Sequence, residues 1–292
     1  MFRSTALVLA AHGSTSNPEG WLIVKKHVAA LRQHKLFSSV EDGYYRQSPE
    51  LGAVVRGVPG PRVCVVPFCM SEGDFARRVI PRLLGWNEPA PVLPMAKSRG
   101  AGWLHYTAPV GTHPRMVEVV IRGVEGMLHQ CPAPVDPWPD RVSVVLVAHG
   151  APRDSLSRRA AEDQALRMER RQLFASVRTA FLEERPFVSE VVGAARTPYI
   201  AVVPFFLSGG VHVRRDIPAA LKACGGAVFL QDDGAESGWR KPSGRSVRWI
   251  WCASGLGGEA ALTAVVLDRV REAMQACQGP GDSFFSGRSP SA

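Results

Sequence analysis

One displacement, 137 residues, organises the whole sequence. Under it, residues 67–81 and 204–218 agree at eight of fifteen positions, and Ala11-His12-Gly13 falls on Ala148-His149-Gly150 and Pro49 on Pro186. Chance does not keep one register across three separated anchors. The chain is therefore an internal duplication, two halves of about 140 residues each, near the usual size of a domain. Whatever one half folds into, the other must fold into as well, so differences between matched positions become differences in chemistry.

The later copy says most about the fold. Tyr199 to Leu207 is an apolar run without helical period, the pattern of a strand buried on both faces in a parallel sheet. Ser208-Gly209-Gly210 ends it, where the backbone can turn sharply and come close to a ligand. His212 follows at the carboxyl end of that strand, the edge where open α/β sheets bind ligands. The first half alternates strand 6–11, helix 18–34, strand 39–45, a helix from Pro49, strand 63–70, helix 77–86, one or two short strands between Val92 and Pro109, and a helix from Pro114 to about Leu128. The second half repeats the order with strand 142–148, helix 155–174, strand 176–183, a helix from Pro186, strand 199–207, a helix from Arg214, a polar loop at 231–246, strand 247–252 and helix 259–277. Such alternation implies βαβ units: an α/β fold of two tandem duplicated lobes, each a four-stranded parallel sheet with helices on both faces. The expected boundaries are a first lobe at 1–130, a proline-rich linker at 131–140, a second lobe at 141–278 and a disordered tail at 279–292.

Composition narrows the function classes. With 292 residues, 46% of them apolar, the chain can bury one or two full cores. No run approaches the roughly 18 to 20 apolar residues of a membrane span, and Ala6 to Ala11 is too short to be the core of a secretion signal. A cytoplasmic protein without a membrane partner is expected. The six cysteines form no CxxC pair and read as reduced, mostly buried thiols. A net charge of +9 and a pI near 9.6 favour an anionic partner. The basic residues are interleaved with acids and no nucleic-acid-binding motif is present, so a small polycarboxylate fits better than nucleic acid.

His149, Glu183 and His212 fall at the carboxyl ends of three successive strands of the second half. In a parallel sheet those ends share one edge, so the three can converge on one pocket. Two imidazoles and a carboxylate suit a divalent first-row metal, and the same groups can take protons near neutral pH. A plainer reading has the histidines bonding neighbouring backbone carbonyls and Glu183 capping a helix or pairing with Arg185. Glu184 could also take the role of Glu183 with a slight shift.

These residues also carry a likeness. Ala-His-Gly at 11–13 and 148–150, Ala-Phe-Leu-Glu at 180–183, Pro-Val-Gly-Thr-His-Pro at 109–114 and above all the sixteen residues 203–218 resemble the CbiX-type class II chelatases, over most of residues 5–275. The resemblance implies a bilobal chelatase-like fold and a lyase that inserts Co²⁺ or Fe²⁺ into sirohydrochlorin, cobalt being preferred, in cobalamin or siroheme biosynthesis. It implies catalysis without ATP, with no cofactor beyond the metal substrate, and a metal-handling role for His149, His212 and Glu183. No GxxxxGK[ST] phosphate loop occurs in the chain. Metal insertion expels two pyrrole protons, so the site needs a base as well as a place for the ion. His149 and His212 are expected to be ligands and proton acceptors, with Glu183 auxiliary. Ser208, Gly209 and Gly210 are expected to approach the substrate, and Arg153, Arg214 and Arg215 to meet its carboxylates, at under about 1 kcal/mol each where exposed. The alternative is a non-catalytic carrier of a tetrapyrrole or metal in the same groove, and either a monomer or a homodimer is compatible with the sequence.

The first half breaks the pattern. It keeps His12 but has Arg46 in place of Glu183 and Phe75 in place of His212. Glu72 and Asp74 are possible oxygen ligands there, with Arg46 competing for them. This lobe is expected to be retained structurally and to have lapsed catalytically, Arg46 gripping substrate carboxylates instead. Ala151 departs from the family's His-Gly-Ser. His27, His34 and His129 read as surface residues of helices, His105 and His113 as weak candidates, and Gly255-Leu256-Gly257-Gly258 lacks the spacing of a dinucleotide loop.

Overall fold

The computed structural model describes residues 2–14, 18–90, 92–129, 139–151, 155–224, 227–230 and 248–276. Residues 131–138 of the expected linker, the polar loop at 231–246 and the tail at 279–292 lie outside the described residues. Strands β1 (Thr5–Ala11), β2 (Ser39–Tyr44), β3 (Arg62–Pro67), β4 (Met95–Arg99) and β5 (Gly102–Tyr106) form one sheet in the order β2-β1-β3-β5-β4. Strands β6 (Val142–Ala148), β7 (Ser176–Phe181), β8 (Tyr199–Pro204), β9 (Ala227–Leu230) and β10 (Trp249–Cys252) form the other, in the order β7-β6-β8-β10-β9.

The fold class is the expected one, with a correction to each sheet. Both carry a fifth, edge strand beyond the four expected. In the first sheet it is β4, which runs antiparallel to β5 with Met95 opposite Tyr106; in the second it is β9, parallel to β10. With β5, β4 makes up the one or two short strands expected between Val92 and Pro109, whereas β9, only four residues long, does not announce itself in the sequence. Edge strands are often short or charged, which limits pairing with other chains.

The 137-residue displacement persists in three dimensions. β1 and β6 are seven-residue strands buried at every position. β3 and β8 stand at the same interval, and each leads through a loop into a π-helical turn, Phe75–Val79 in the first lobe and His212–Asp216 in the second. Those turns continue directly into helices α3 (Ile80–Leu83) and α7 (Ile217–Lys222). With α2 (Leu51–Gly57) and α6 (Val188–Ala194), α3 and α7 cover the outer faces of the two sheets.

The inner faces are shared. Helix α1 (Glu19–Gln33) packs on β1 and β2, and α5 (Ser155–Glu169) on β6 and β7 of its own half. The last helix of each half crosses over: α4 (Met116–His129) lies against β8 and α5, and α8 (Leu262–Ala276) lies against β3 and β5. Leu7 and Leu9 of the first sheet and Val144 and Leu146 of the second therefore belong to one buried cluster, together with Met116, Val120, Val265 and Val266. Full burial of each such side chain contributes about 1.5–3 kcal/mol. The two lobes share one core.

Candidate active site

In both sheets the strand order reverses between the first and third strands of the lobe, which places a crevice outside their carboxyl ends. In the second lobe these ends deliver His149 directly after β6 and the loop 205–211 after β8, while Glu183 follows β7. Gly150 sits at φ +75°, and a Cβ there would stand 2.9 Å from Glu184 Cγ, so the residue after His149 has to be glycine.

The two histidines meet. Their ring centroids are 4.7 Å apart with the planes at 85°, and the side chains are 40% (His149) and 41% (His212) exposed. His149 Nδ1 lies 2.8 Å from Gly150 O, which can only accept, so Nδ1 carries the proton and Nε2 keeps its lone pair. His212 Nδ1 donates to Asp216 Oδ2 at 2.8 Å, and its Nε2 is likewise the free nitrogen. The bonds from His212 and Arg215 hold the Asp216 carboxyl below the usual carboxylate range. Phe206 stacks on His212 with centroids 6.0 Å apart. Each imidazole is thus held by its Nδ1, as metal-binding histidines usually are. Glu183 Oε1 lies 3.6 Å from His149 Nε2. Among the described residues no group of three or more His, Cys, Asp or Glu side chains is placed to hold a metal ion, so the expected set of His149, His212 and Glu183 is not gathered as three ligands, and the two histidines are the part that meets.

The plainer reading describes Nδ1 of His149 and leaves Nε2 unexplained. Arg185 pairs with Glu190 at 2.6 Å and not with Glu183. Glu184 is occupied, since its Oε1 accepts Ala151 N–H at 3.1 Å and its Oε2 lies 3.4 Å from Arg158. Ser208 and Gly210 line the cleft, whereas Gly209 turns its N–H away to Glu19 of the first lobe. Arg214 also pairs with Glu19, at 3.0 Å, and Arg215 with Asp216, at 3.2 Å, so both arginines have acidic partners inside the protein. Arg153 lies outside the described residues.

Both lobes wall the cleft, which encloses about 730 Å³. The first contributes His12, Tyr44, Phe68 and Met70, the second His149, Phe206, Val211 and His212. Cys69 also reaches it, but burial pushes its thiol up to about 12, so at neutral pH it is an uncharged wall group. The matching corner of the first lobe is aromatic. His12 holds its own Nδ1 on Gly13 O at 2.9 Å, and faces Phe75 at 5.2 Å and Tyr45 at 5.6 Å between centroids. Arg46 lies over the Tyr45 ring at 5.2 Å and does not compete for the acids as expected. Glu72 pairs with Arg77 at 2.6 Å and Asp74 with Arg78 at 3.4 Å.

One expectation about another residue changes, and two others gain a structural account. His27 is buried, not on the surface: Nε2 lies 2.8 Å from Gly257 O and Nδ1 2.8 Å from Thr263 Oγ1, both in the other lobe. The signal was available, because His27 shares a helical stripe with Val24, Val28 and Leu31. His113 is buried as well, with Nδ1 accepting Arg115 N–H at the start of α4 and Nε2 3.1 Å from Glu272. The Gly255–Gly258 stretch is an interface piece: a Cβ on Gly257 would lie 2.9 Å from Ile23 Cγ2 of the first lobe, and Gly258 O accepts from Lys26 Nζ at 2.8 Å. Sequence reasoning also passed over Asp216, although its i+4 spacing from His212 was legible, and Phe206 and Glu19.

The duplicated, doubly wound α/β fold is one that this chain shares with solved chelatases. A multi-domain protein of Deinococcus radiodurans, described as structurally similar to chelatases and carrying two additional domains, superposes at TM-score 0.74 and 24% identity; this chain is covered over 91% of its length and spans 54% of that one. The sirohydrochlorin chelatase SirB of Bacillus subtilis subspecies spizizenii, solved with cobalt, superposes at TM-score 0.62 and 15% identity over 95% of this chain and 98% of its own. The chain belongs to the CbiX family, whose sequence model matches residues 6–126 and again 143–273. A probable sirohydrochlorin cobaltochelatase of Halobacterium salinarum is 29% identical over 279 residues, 92% of this chain and 91% of that protein.

Proposed function

We propose that the protein is a sirohydrochlorin chelatase that inserts Co²⁺, in preference to Fe²⁺, without ATP and without a cofactor beyond the metal substrate. The observation that carries this reading is the His149–His212 pair, 4.7 Å apart with both Nδ1 atoms held and both rings open to a cleft. The relatives' names supply the substrate class, and the cleft's two walls suit a flat macrocycle lying between them. In this mechanism the two Nε2 atoms receive the ion. Neutral imidazoles bind it less irreversibly than thiolates would, which suits a metal that must be handed on. As the ring takes the metal, its pyrrole protons pass to the vacated imidazoles, and Glu183, 55% exposed beside His149, relays them to solvent. A positioned base of this kind contributes about 10²–10⁴ in rate. Since Arg214 and Arg215 have internal partners, the net charge of +9 attracts the carboxylate-rich substrate mainly as a long-range field.

The deciding experiment follows the absorbance of sirohydrochlorin with Co²⁺ and with Fe²⁺ in turn, with and without nucleotide. Insertion no faster than the spontaneous rate removes the enzyme reading, and stoichiometric ligand binding with unchanged kinetics would indicate a carrier. Iron faster than cobalt overturns the metal preference alone.

A further inference from the structure

Glu19 opens α1 of the first lobe, yet its carboxylate works in the second. Oε1 accepts Gly209 N–H at 2.8 Å and Oε2 accepts from Arg214 Nη2 at 3.0 Å. The Glu19 side chain is only 19% exposed. Its two partners bracket His212 in the chain, one before it and one after it, within the segment that starts at the cleft with Ser208 and ends at Asp216, the residue holding His212 Nδ1. One carboxylate from across the interface therefore fixes both flanks of the imidazole.

The duplication shows that this is a substitute arrangement. Under the 137-residue displacement Gly209 matches Glu72, Arg214 matches Arg77, and Glu19 matches Leu156. In the first lobe Glu72 satisfies Arg77 from within its own loop, at 2.6 Å. The second lobe has glycine where that acid would be, and a Cβ on Gly209 would stand 2.9 Å from Glu19 Oε1 and 3.1 Å from Ser254 O. Each lobe gives the matched arginine a carboxylate. Only the second takes it from its neighbour, and only the second has a histidine in that turn.

We propose that Glu19 is a positioning residue for His212, so that the lobe lacking the histidine pair completes the site of the lobe that has it. The consequence for turnover rests on the chelatase reading; the positioning itself does not. Partners that orient a ligand from behind typically change metal affinity by about 10- to 100-fold, and bonds to a carboxylate are stronger than neutral ones.

The test uses the full chain, with Co²⁺ alone as the probe. Glu19→Ala is expected to weaken Co²⁺ binding about tenfold while far-UV circular dichroism stays native. Glu19→Gln retains an acceptor for Gly209 N–H and is expected to lose less. In a His212→Ala background Glu19→Ala should cost nothing more, because the residue it positions is gone. The His212 ring resonance, assigned by its absence in His212→Ala, should move in Glu19→Ala and less in Glu19→Gln, while those of exposed His34 and His129 stay put. An unmoved His212 signal in a folded variant overturns the proposal, as does an equal loss of Co²⁺ binding in the His212→Ala background. Should Glu19→Ala not fold, the Glu19→Gln signal decides by the same criterion. A chain that shows the shift but never metallates sirohydrochlorin would refute the chelatase reading and keep this one.

Discussion

The two lobes share strands, order, a π-helical turn and a strand-end histidine held by the next carbonyl, and they differ in what faces that histidine. In the second lobe it meets His212, with Glu183 alongside; in the first it meets Phe75 and Tyr45. The backbone scaffold is thus indifferent to the chemistry it presents. The matched strand ends carry different side chains with no change of architecture, and the first lobe, without the histidine pair, still completes the core and walls the cleft.

The sharpest way to break this comparison is His212→Ala. It should cut the initial rate of metallation by about 10²–10⁴, leaving spectra of the folded protein unchanged. A smaller loss would mean that the pair is not the chemical centre. Rebuilding the missing partner sharpens the contrast from the other side. Phe75→His with Arg46→Glu should give a second equivalent of bound Co²⁺, weaker than the native one by at least about tenfold, because Val79 stands where Asp216 orients His212. Isothermal titration would count the equivalents, and a stoichiometry that stays unchanged would show that His12 is not poised like His149.

A third prediction concerns the seam between the lobes. Burial, the largest influence, lowers the His27 pKa below 6.5, with neighbouring Lys26 acting in the same direction. The unfolded chain then takes up the proton first. Stability is therefore complete above about pH 6.5 and is lost as pH falls through that value toward the lower folded one. Denaturant midpoints at pH 7.5 and 5.5 should differ more for the native chain than for His27→Gln. The substitution itself should cost about 1–3 kcal/mol at neutral pH by disturbing the bonds to Thr263 and Gly257. Equal pH dependence in both would place the seam's sensitivity elsewhere, with buried His113 the next group to examine. Smallest of all, His12→Ala should leave the metallation rate within about threefold, in line with substitutions away from critical contacts.

Much of this was legible in the sequence, for identifiable reasons. The repeat imposed one topology twice, long apolar runs marked β1, β3, β6 and β8, and glycine after each strand-end histidine marked the turn that exposes it. β9 was missed because a four-residue strand carries almost no periodic signal, and the antiparallel direction of β4 was not legible in its polar residues. Local pattern also fails for partners far apart in the chain. Glu19 and Gly209 are separated by 190 residues, and nothing around either one announces the other. His27 was misjudged for a different reason: its helix was recognised, but the apolar stripe on which it lies was not followed through.

The crossing of α4 and α8 has a consequence for access. Because each half's closing helix is bedded in the opposite sheet, swinging the lobes apart would strip two helices from their apolar seats. The shared core makes the seam a weld and not a hinge, so the two walls of the cleft are held by the same buried side chains that join the lobes. What such a join leaves free is the lining itself, where Val211 stands 59% exposed.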